Sequence, residues 1–532
     1  MIEFRYMGYK SRIKEQTVRT GRKQGRGGRG AHVRNTPGLI PPPIGTKSGT
    51  FKPLSDSDIN RIYNAALEVL ETVGFKGATK TVLQLALKRG CLLDEAGRLL
   101  FPKTLVEDII AGAGRDFVLH GQCEKHDIQV RDGHVHFATG GAAVKMLDSA
   151  SRSYRPSTLA DLFDISRLCD TLPNIQWFAR PVVATDIEDW RELDLNTVYA
   201  IAKGTQKHLG TSIVLPEHVG EIIDMLDLLT GRPGGFVERP FLSVHATTVV
   251  SPLTFAEDSS NVATQAALRG MPILSQTGPQ AGATSPAALA GSLVQSVAET
   301  LGALVAINLV KPGHPVIASG WPFVADLRTG AFSGGSGEQA LLSSGQAQIM
   351  RYLKLPTGVP ASMADSKIPD NQAGYEKALT LALSAMSGPD FVYESAGMLA
   401  SLLGCSLEAF VIDNEMISSI RRTMRGIEVN DETLSVDVIA DTARNVGHYL
   451  GNSQTLKLME SEYIYPQLAD RSSPDDWLKN GSSDIWQRAA LQVRQTLDTH
   501  FPDHISPIND AAVRAKYPIR LDMPVPPISI EA

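Results

Sequence analysis

Asp365 and Lys367 in "SMADSKIPD" and Glu394 in "FVYESAG" stand where a short apolar run gives way to polar residues. Other apolar runs close in the same manner, on Arg180, His245 and Gln276, on Thr139, Thr211 and Thr247, and on the aromatic residues Phe137, Trp321, Phe323 and Tyr393. Aromatic rings grouped with carboxylates suit a cationic, methylated nitrogen, because the face of a ring attracts positive charge within about 6 Å. Arg180, His245 and Gln276 bring donors that would hold a carboxylate on the same ligand. Asp365, Lys367 and Glu394 are therefore the candidates for catalysis. Phe137, Arg180, His245, Gln276, Trp321, Phe323 and Tyr393 are the candidates for substrate binding. Each has a plainer alternative: Lys367 as a loop lysine paired with Asp365, His245 as a hydrogen-bonded structural histidine, and the aromatics as ordinary packing.

Other chemistries are less well served. Cys91, Cys123, Cys169 and Cys405 are widely spaced, with no CxxC and no HExxH elsewhere, so neither a disulfide framework nor a catalytic zinc is expected and the thiols read as reduced. "GPQAGATSP" and "SGGSGEQ" have the glycine content of phosphate-binding turns but read more simply as flexible loops. Lys367 as a Schiff-base amine would make the chain a lyase, an alternative kept open beside a barrel that binds a methylated amine without turning it over.

The elements that must carry these residues form a repeating pattern of short apolar strand, polar strand end and amphipathic helix. Strands are expected to begin near 134, 175, 208, 241, 272, 314, 359 and 391. Helices lie between them, the clearest being "PEHVGEIIDMLDLLTG", with Pro216 at its start and Gly231 to end it. Alternating strands and helices argue for parallel pairing through right-handed crossovers. Eight such units predict a (β/α)8 TIM barrel, whose active site lies at the C-terminal ends of its strands. "ATGGAAVKM" lacks the GxGxxG of an open dinucleotide-binding sheet. Before the barrel, residues 51–116 read as a helical subdomain, and "HDIQVRDGHVHFATGG" as a β-hairpin turning at Asp132-Gly133. The barrel is expected over 117–430 and a helical extension over 431–532, packed on the barrel or on a second subunit.

Residues 1–50 differ from the rest. "RTGRKQGRGGRGAHVRNTPG" is rich in Arg and Gly and poor in large apolar groups, which predicts a disordered arm or one laid on a neighbouring subunit. The whole chain of 532 residues has a net charge of only −6, which argues against nucleic acid as its main ligand. No uninterrupted apolar run of membrane-spanning length and no secretory leader stand out, so a cytoplasmic homo-oligomer away from membranes is expected.

Several segments together resemble the trimethylamine methyltransferase superfamily: "TGPQAGATSPAALAGSLVQSVAETLGALVAINLVKPGHPVI", "ADLRTGAFSGGSGEQALL", "DSKIPDNQAGYEKALT" and "GMLASLLGCSLEAFVIDNEM". "GRKQGRGGRG" and "GHYLGNSQTLK" extend the likeness over nearly the whole chain. The resemblance implies a TIM barrel that passes a methyl group from a substrate to the Co(I) of a corrinoid (cobalamin) carried by a separate protein. Name-giving members carry pyrrolysine close to the place occupied here by "DSKIPD", where this chain has only standard residues, Lys367 nearest. The resemblance is therefore to the branch without pyrrolysine, typified by glycine betaine methyltransferase. A quaternary ammonium already bears the charge that makes its amine a leaving group, so orientation of one methyl would carry much of the acceleration.

Overall fold

The structure, a computed structural model, describes residues 45–522 apart from 131, 132 and 446. Eight parallel strands close on themselves: β1 (His134–Phe137), β2 (Trp177–Ala179), β3 (His208–Thr211), β4 (Leu242–Val250), β5 (Ile273–Thr277), β6 (Val316–Gly320), β7 (Gly358–Pro360) and β8 (Phe391–Tyr393). Ladders join β2 through β6 in order and β7 to β8. β8 pairs with β1, with His136 opposite Phe391. The two remaining seams are shorter. Ala138 bridges Trp177 between β1 and β2. Ala318 accepts from Thr357 Oγ1 at 2.8 Å, and its N–H donates to the Pro356 carbonyl at 2.8 Å, between β6 and β7. The expected (β/α)8 barrel is the fold, and every predicted strand falls within two residues of its place.

A helix follows each strand: α1 (Leu159–Asp170), α2 (Trp190–Gly204), α3 (His218–Thr230), α4 (Glu257–Arg269), α5 (Leu289–Val310), α6 (Gly337–Tyr352), α7 (Asn371–Ser387) and α8 (Leu407–Met424). Local chemistry sets their ends. Thr158 and Asp161 form a capping box on α1. Gly231 ends α3 in the left-handed region at φ 77°, where a Cβ would be strained. α5 alone among the described helices is long and apolar enough to cross a membrane, and most of its length is buried in this body. It is the central outer helix, and the N-terminal helices Asp56–Thr72, Lys80–Lys88 and Lys103–Gly112 pack on it. Gly302 makes that approach possible, since a Cβ there would lie 2.5 Å from the Phe75 ring.

The two flanks of the predicted hairpin do not pair with each other among the described residues, and Asp132 of its turn lies outside them. Ile128–Gln129 pairs antiparallel with Val118–Leu119, while β1 pairs with β8 and with Thr46–Lys47. Tertiary pairing overrides the local turn signal: both edges of β1 are taken, one by β8 and the other by Thr46–Lys47, so no edge is left for a hairpin partner. The hairpin that does form plugs the N-terminal end of the barrel, with Leu119, Ile128 and Val130 against Trp177, Leu274 and Ile317.

Past α8, helix Ile485–Thr499 packs on α8 and α1, and helix Pro507–Lys516 on α3. One apolar core runs from Ile59 to Leu521, so the packing of these added helices is continuous with that of the barrel. The basic arm falls almost wholly in residues 1–44, outside those described.

Candidate active site

Strand alternation decides which side chains enter the barrel. On β1, His136 and Ala138 point inward while Val135 and Phe137 point to the helices; on β2, Trp177 and Ala179 point inward and Phe178 outward. Phe137 is thus a residue of the outer core, and its expected contact with substrate is withdrawn.

The inner side chains stack in two levels. The lower is built around Trp177, whose ring meets His208 at 5.0 Å, Phe391 at 5.0 Å, Tyr393 at 5.2 Å and His245 at 5.6 Å. His208 is tied at both nitrogens, to the His120 carbonyl and to Ser243 Oγ, each at 2.7 Å. Burial pushes His208 down to about 3 and His136 to about 4, so both rings are neutral at ordinary pH. Gly210 makes this stack possible, because a Cβ there would stand 2.3 Å from His245 Nε2 and 2.7 Å from Trp177 Nε1.

The upper level, at the strand ends, holds most of the residues expected there. Trp321 lies 5.5 Å from Tyr393 and 6.2 Å from Phe323, and Tyr393 lies 6.1 Å from His245. Gln276 donates to Thr247 Oγ1 at 2.9 Å. Buried polar atoms around these rings have no hydrogen-bond partner among the described residues: Trp321 Nε1, Tyr393 Oη, His245 Nε2, Gln276 Oε1, Ser319 Oγ and Glu394 Oε2. Orphaned groups of this kind cost about 1–3 kcal/mol each unless a ligand or water meets them, which makes the strand ends the candidate site.

Charge is distributed unevenly there. Arg180 is half-buried and donates to Ser212 Oγ at 2.9 Å, and no carboxylate lies within ion-pair distance of it among the described residues. Burial lowers its pKa, and the more distant Asp194 works the other way. Asp194 itself is engaged by His218 at 2.7 Å and the Val214 N–H at 2.9 Å. Burial pushes His245 down to about 3, helped by the positive charge of Arg180 and then by His208. Glu394 is 2% exposed, and burial raises its carboxyl to about 8 against the pull of Lys377.

Asp365 and Lys367 do not join this group. The Asp365 carboxylate accepts from the Gly334 N–H at 3.0 Å, Ser401 Oγ at 2.9 Å, Ser333 Oγ at 3.2 Å and the Gly335 N–H at 3.4 Å. It clasps the loop after β6 to the loop after β8, where Ala400, Ser401 and Leu402 all run left-handed. With its acceptor capacity occupied, direct contact with a substrate cation is not its role. Lys367 is exposed, and its Nζ turns back to the Asp365 carbonyl at 2.7 Å. An exposed ammonium bonded to its own loop is no Schiff-base nucleophile, and the lyase reading loses its residue.

The sequence profile of the family described as Trimethylamine methyltransferase (MTTB) matches residues 18–520. The chain belongs to the trimethylamine methyltransferase family. Trimethylamine methyltransferase MttB of Desulfitobacterium hafniense is 31% identical over 450 residues, covering 84% of this chain and 90% of that protein. Its counterpart in Methanosarcina thermophila is 32% identical over 455 residues, 84% of this chain and 92% of that protein. Glycine betaine methyltransferase of Desulfitobacterium hafniense is 27% identical over 463 residues, covering 87% and 95%. Among solved structures, Methanosarcina barkeri monomethylamine methyltransferase (MtmB) aligns with a TM-score of 0.44 at 13% identity over 85% of this chain and 95% of that one.

For a methyltransferase of this family the useful features are a mouth lined by rings and an isolated guanidinium. Sequence reasoning missed Trp177, His136, His208 and Ser319, although period-two alternation through "NIQWFAR" and "HVHFAT" contained the signal for the first two. It also missed the buried pair Lys377–Asp413, 2.7 Å apart behind Glu394. Both of its members sit mid-helix, where nothing local distinguishes them from solvated charges.

Proposed function

We propose that this methyltransferase takes its methyl group from a quaternary amine bearing a carboxylate, of the glycine betaine kind, and passes it to a corrinoid carried by a partner protein. The observation that carries this reading is Arg180. A half-buried guanidinium whose partner is a hydroxyl is a seat for an anion, and it stands on the His245 side of the Tyr393–Trp321–Phe323 rings. A zwitterion fits such a site with its carboxylate toward Arg180 and Gln276 and its trimethylammonium head among the rings. Neutral His245 and Tyr393 can hydrogen-bond the ligand without adding charge.

The orphaned atoms are indole, imidazole, amide, hydroxyl and carboxyl groups around aromatic faces. That set suits a small methylated amine and not the broad face of a corrinoid, in keeping with a corrinoid held by another protein. When docked, that group supplies the reduced cobalt that accepts the methyl. This chain's share is to bind the amine, exclude water from it and fix one methyl toward the mouth; orientation of this kind supplies a large part of a transfer barrier. The leaving amine departs neutral and needs no general acid. The 27% identity to glycine betaine methyltransferase supports this choice of donor, while the MttB relatives make trimethylamine the competitor to test.

The test is methyl transfer to reduced free cobalamin, followed by absorbance, with glycine betaine, dimethylglycine and trimethylamine offered separately. Glycine betaine is expected to be the preferred donor. Transfer from trimethylamine at an equal or higher rate overturns the reading.

A further inference from the structure

Glu394 is built into the barrel in a way that the binding of a zwitterion does not by itself require. Its carboxyl lies against Gly140 and Gly141: a Cβ on Gly140 would stand 3.3 Å from Oε1, and one on Gly141 2.7 Å from Oε2. Both glycines have positive φ, 154° and 121°, so this approach of backbone to carboxyl is open to them and strained for other residues. Glu394 itself is held at φ 61°, an unfavourable conformation of the kind that persists where the surroundings enforce it.

The surroundings supply almost nothing to the ionised form. Oε2 has no hydrogen-bond partner. From α7, Lys377 acts on the carboxyl, but its ammonium is committed to Asp413 of α8 at 2.7 Å. Gly140, Gly141 and Met398 bring no charge, and the neighbouring Tyr393 hydroxyl is kept protonated by burial. Arg180 and the neutral His245 beside it, whose ring lies 6.1 Å from that of Tyr393, do not act on the Glu394 carboxyl. Burial therefore favours the neutral acid, raised to about 8. A quaternary nitrogen has no N–H to donate, so what it gains from a carboxyl is charge alone.

We infer that Glu394 reads the fixed positive charge of the methylated amine: seating a quaternary ammonium beside Tyr393 expels the Glu394 proton to solvent and leaves a carboxylate paired with the cation. One proton leaves the carboxyl for the buffer, and no other bond changes. The consequence is selectivity for a donor with a cationic head over a molecule of the same shape whose head is neutral. The inference rests on the quaternary-amine reading above and specifies the residue that enforces it.

The experiment is titration calorimetry of the full chain with glycine betaine at about pH 7, in two buffers of different ionisation enthalpy. 3,3-Dimethylbutanoate, the carbon isostere that keeps the carboxylate and lacks only the positive charge of the head, is titrated in parallel. The expected result is release of close to one proton per glycine betaine bound and none for the isostere. Affinity for glycine betaine should tighten about tenfold per pH unit between about pH 6 and 7, then level off above about pH 8.5. Glu394→Gln should bind glycine betaine more weakly, with neither proton release nor pH dependence. The wild-type measurements stand alone if that variant does not fold. Glycine betaine binding without proton release, or release that persists in Glu394→Gln, overturns the role of Glu394 while leaving the quaternary-amine reading intact. Failure of glycine betaine to bind at all overturns both.

Discussion

Asp365 and Lys367 stand two residues apart and meet different fates, because one faces four donors and the other faces water. Replacing Asp365 by Ala strips acceptors from Gly334, Gly335, Ser333 and Ser401 together. The expected cost is about 2–3 kcal/mol of stability, read as a lower Tm, with kcat/KM lowered through loosened mouth loops. Lys367→Met should leave both Tm and kcat/KM near wild type; a loss of more than about tenfold in kcat/KM would return Lys367 to the site. Arg180 is the sharper case. Arg180→Met should raise KM for glycine betaine more than about tenfold, some 1.4 kcal/mol, while changing transfer from tetramethylammonium by less than about twofold. Equal losses on both donors would mean that Arg180 does not hold a carboxylate.

At the scale of elements, the strands were legible because each is a short apolar run with a polar end, a pattern that a strand buried on both faces must have. Helices α2 and α4 escaped the periodicity reading for a physical reason. α2 is buried on most of its circumference, including Asp194, Asn196 and Thr197, and α4 is dominated by Ala, Ser and Thr, so neither shows a clean apolar stripe. The site was legible as a set of strand ends, and Trp321, Phe323, Tyr393, Gln276, His245 and Arg180 gather there. Side-chain direction was not, as Phe137 shows: the alternation along β1 turns Val135 and Phe137 to the helices, and a run of apolar residues does not say which face is inward. The layering also fixes a pH response. His136, His208 and His245 are held neutral at about 4, 3 and 3, below the ordinary histidine value near 6.5. A depressed folded pKa gives stability that is present above 6.5 and lost as pH falls toward 4, because the unfolded chain takes up the protons first. Each imidazole contributes a slope of about 1.4 kcal/mol per pH unit in that window. Denaturant unfolding at several pH values should show His208→Gln losing one proton's worth of that slope; an unchanged slope would mean that His208 is charged in the folded protein.

Across the whole molecule, the C-terminal helices fasten the outer layer far from the strand ends. Arg167 on α1 is 2% exposed and carries the join. It donates to the Leu497 carbonyl at 2.6 Å and to the His500 carbonyl at 2.8 and 3.0 Å, and its guanidinium stacks 4.1 Å from the Phe501 ring. Beside it Asp170 accepts from His500 at 2.9 Å, and Tyr199 donates to Asp510. Because α1 lies outside the strands, these contacts serve stability and not transfer. Arg167→Met keeps the length of the side chain but leaves the half-buried Leu497 and His500 carbonyls without this donor and removes the stacked charge, at an expected cost of about 2–4 kcal/mol. The denaturant midpoint should fall accordingly, while kcat and KM for the folded fraction stay within about twofold of wild type. A fall in kcat at full folding would show that the C-terminal helices reach the chemistry through α1. A normal midpoint would mean that they add little to the barrel that they cover.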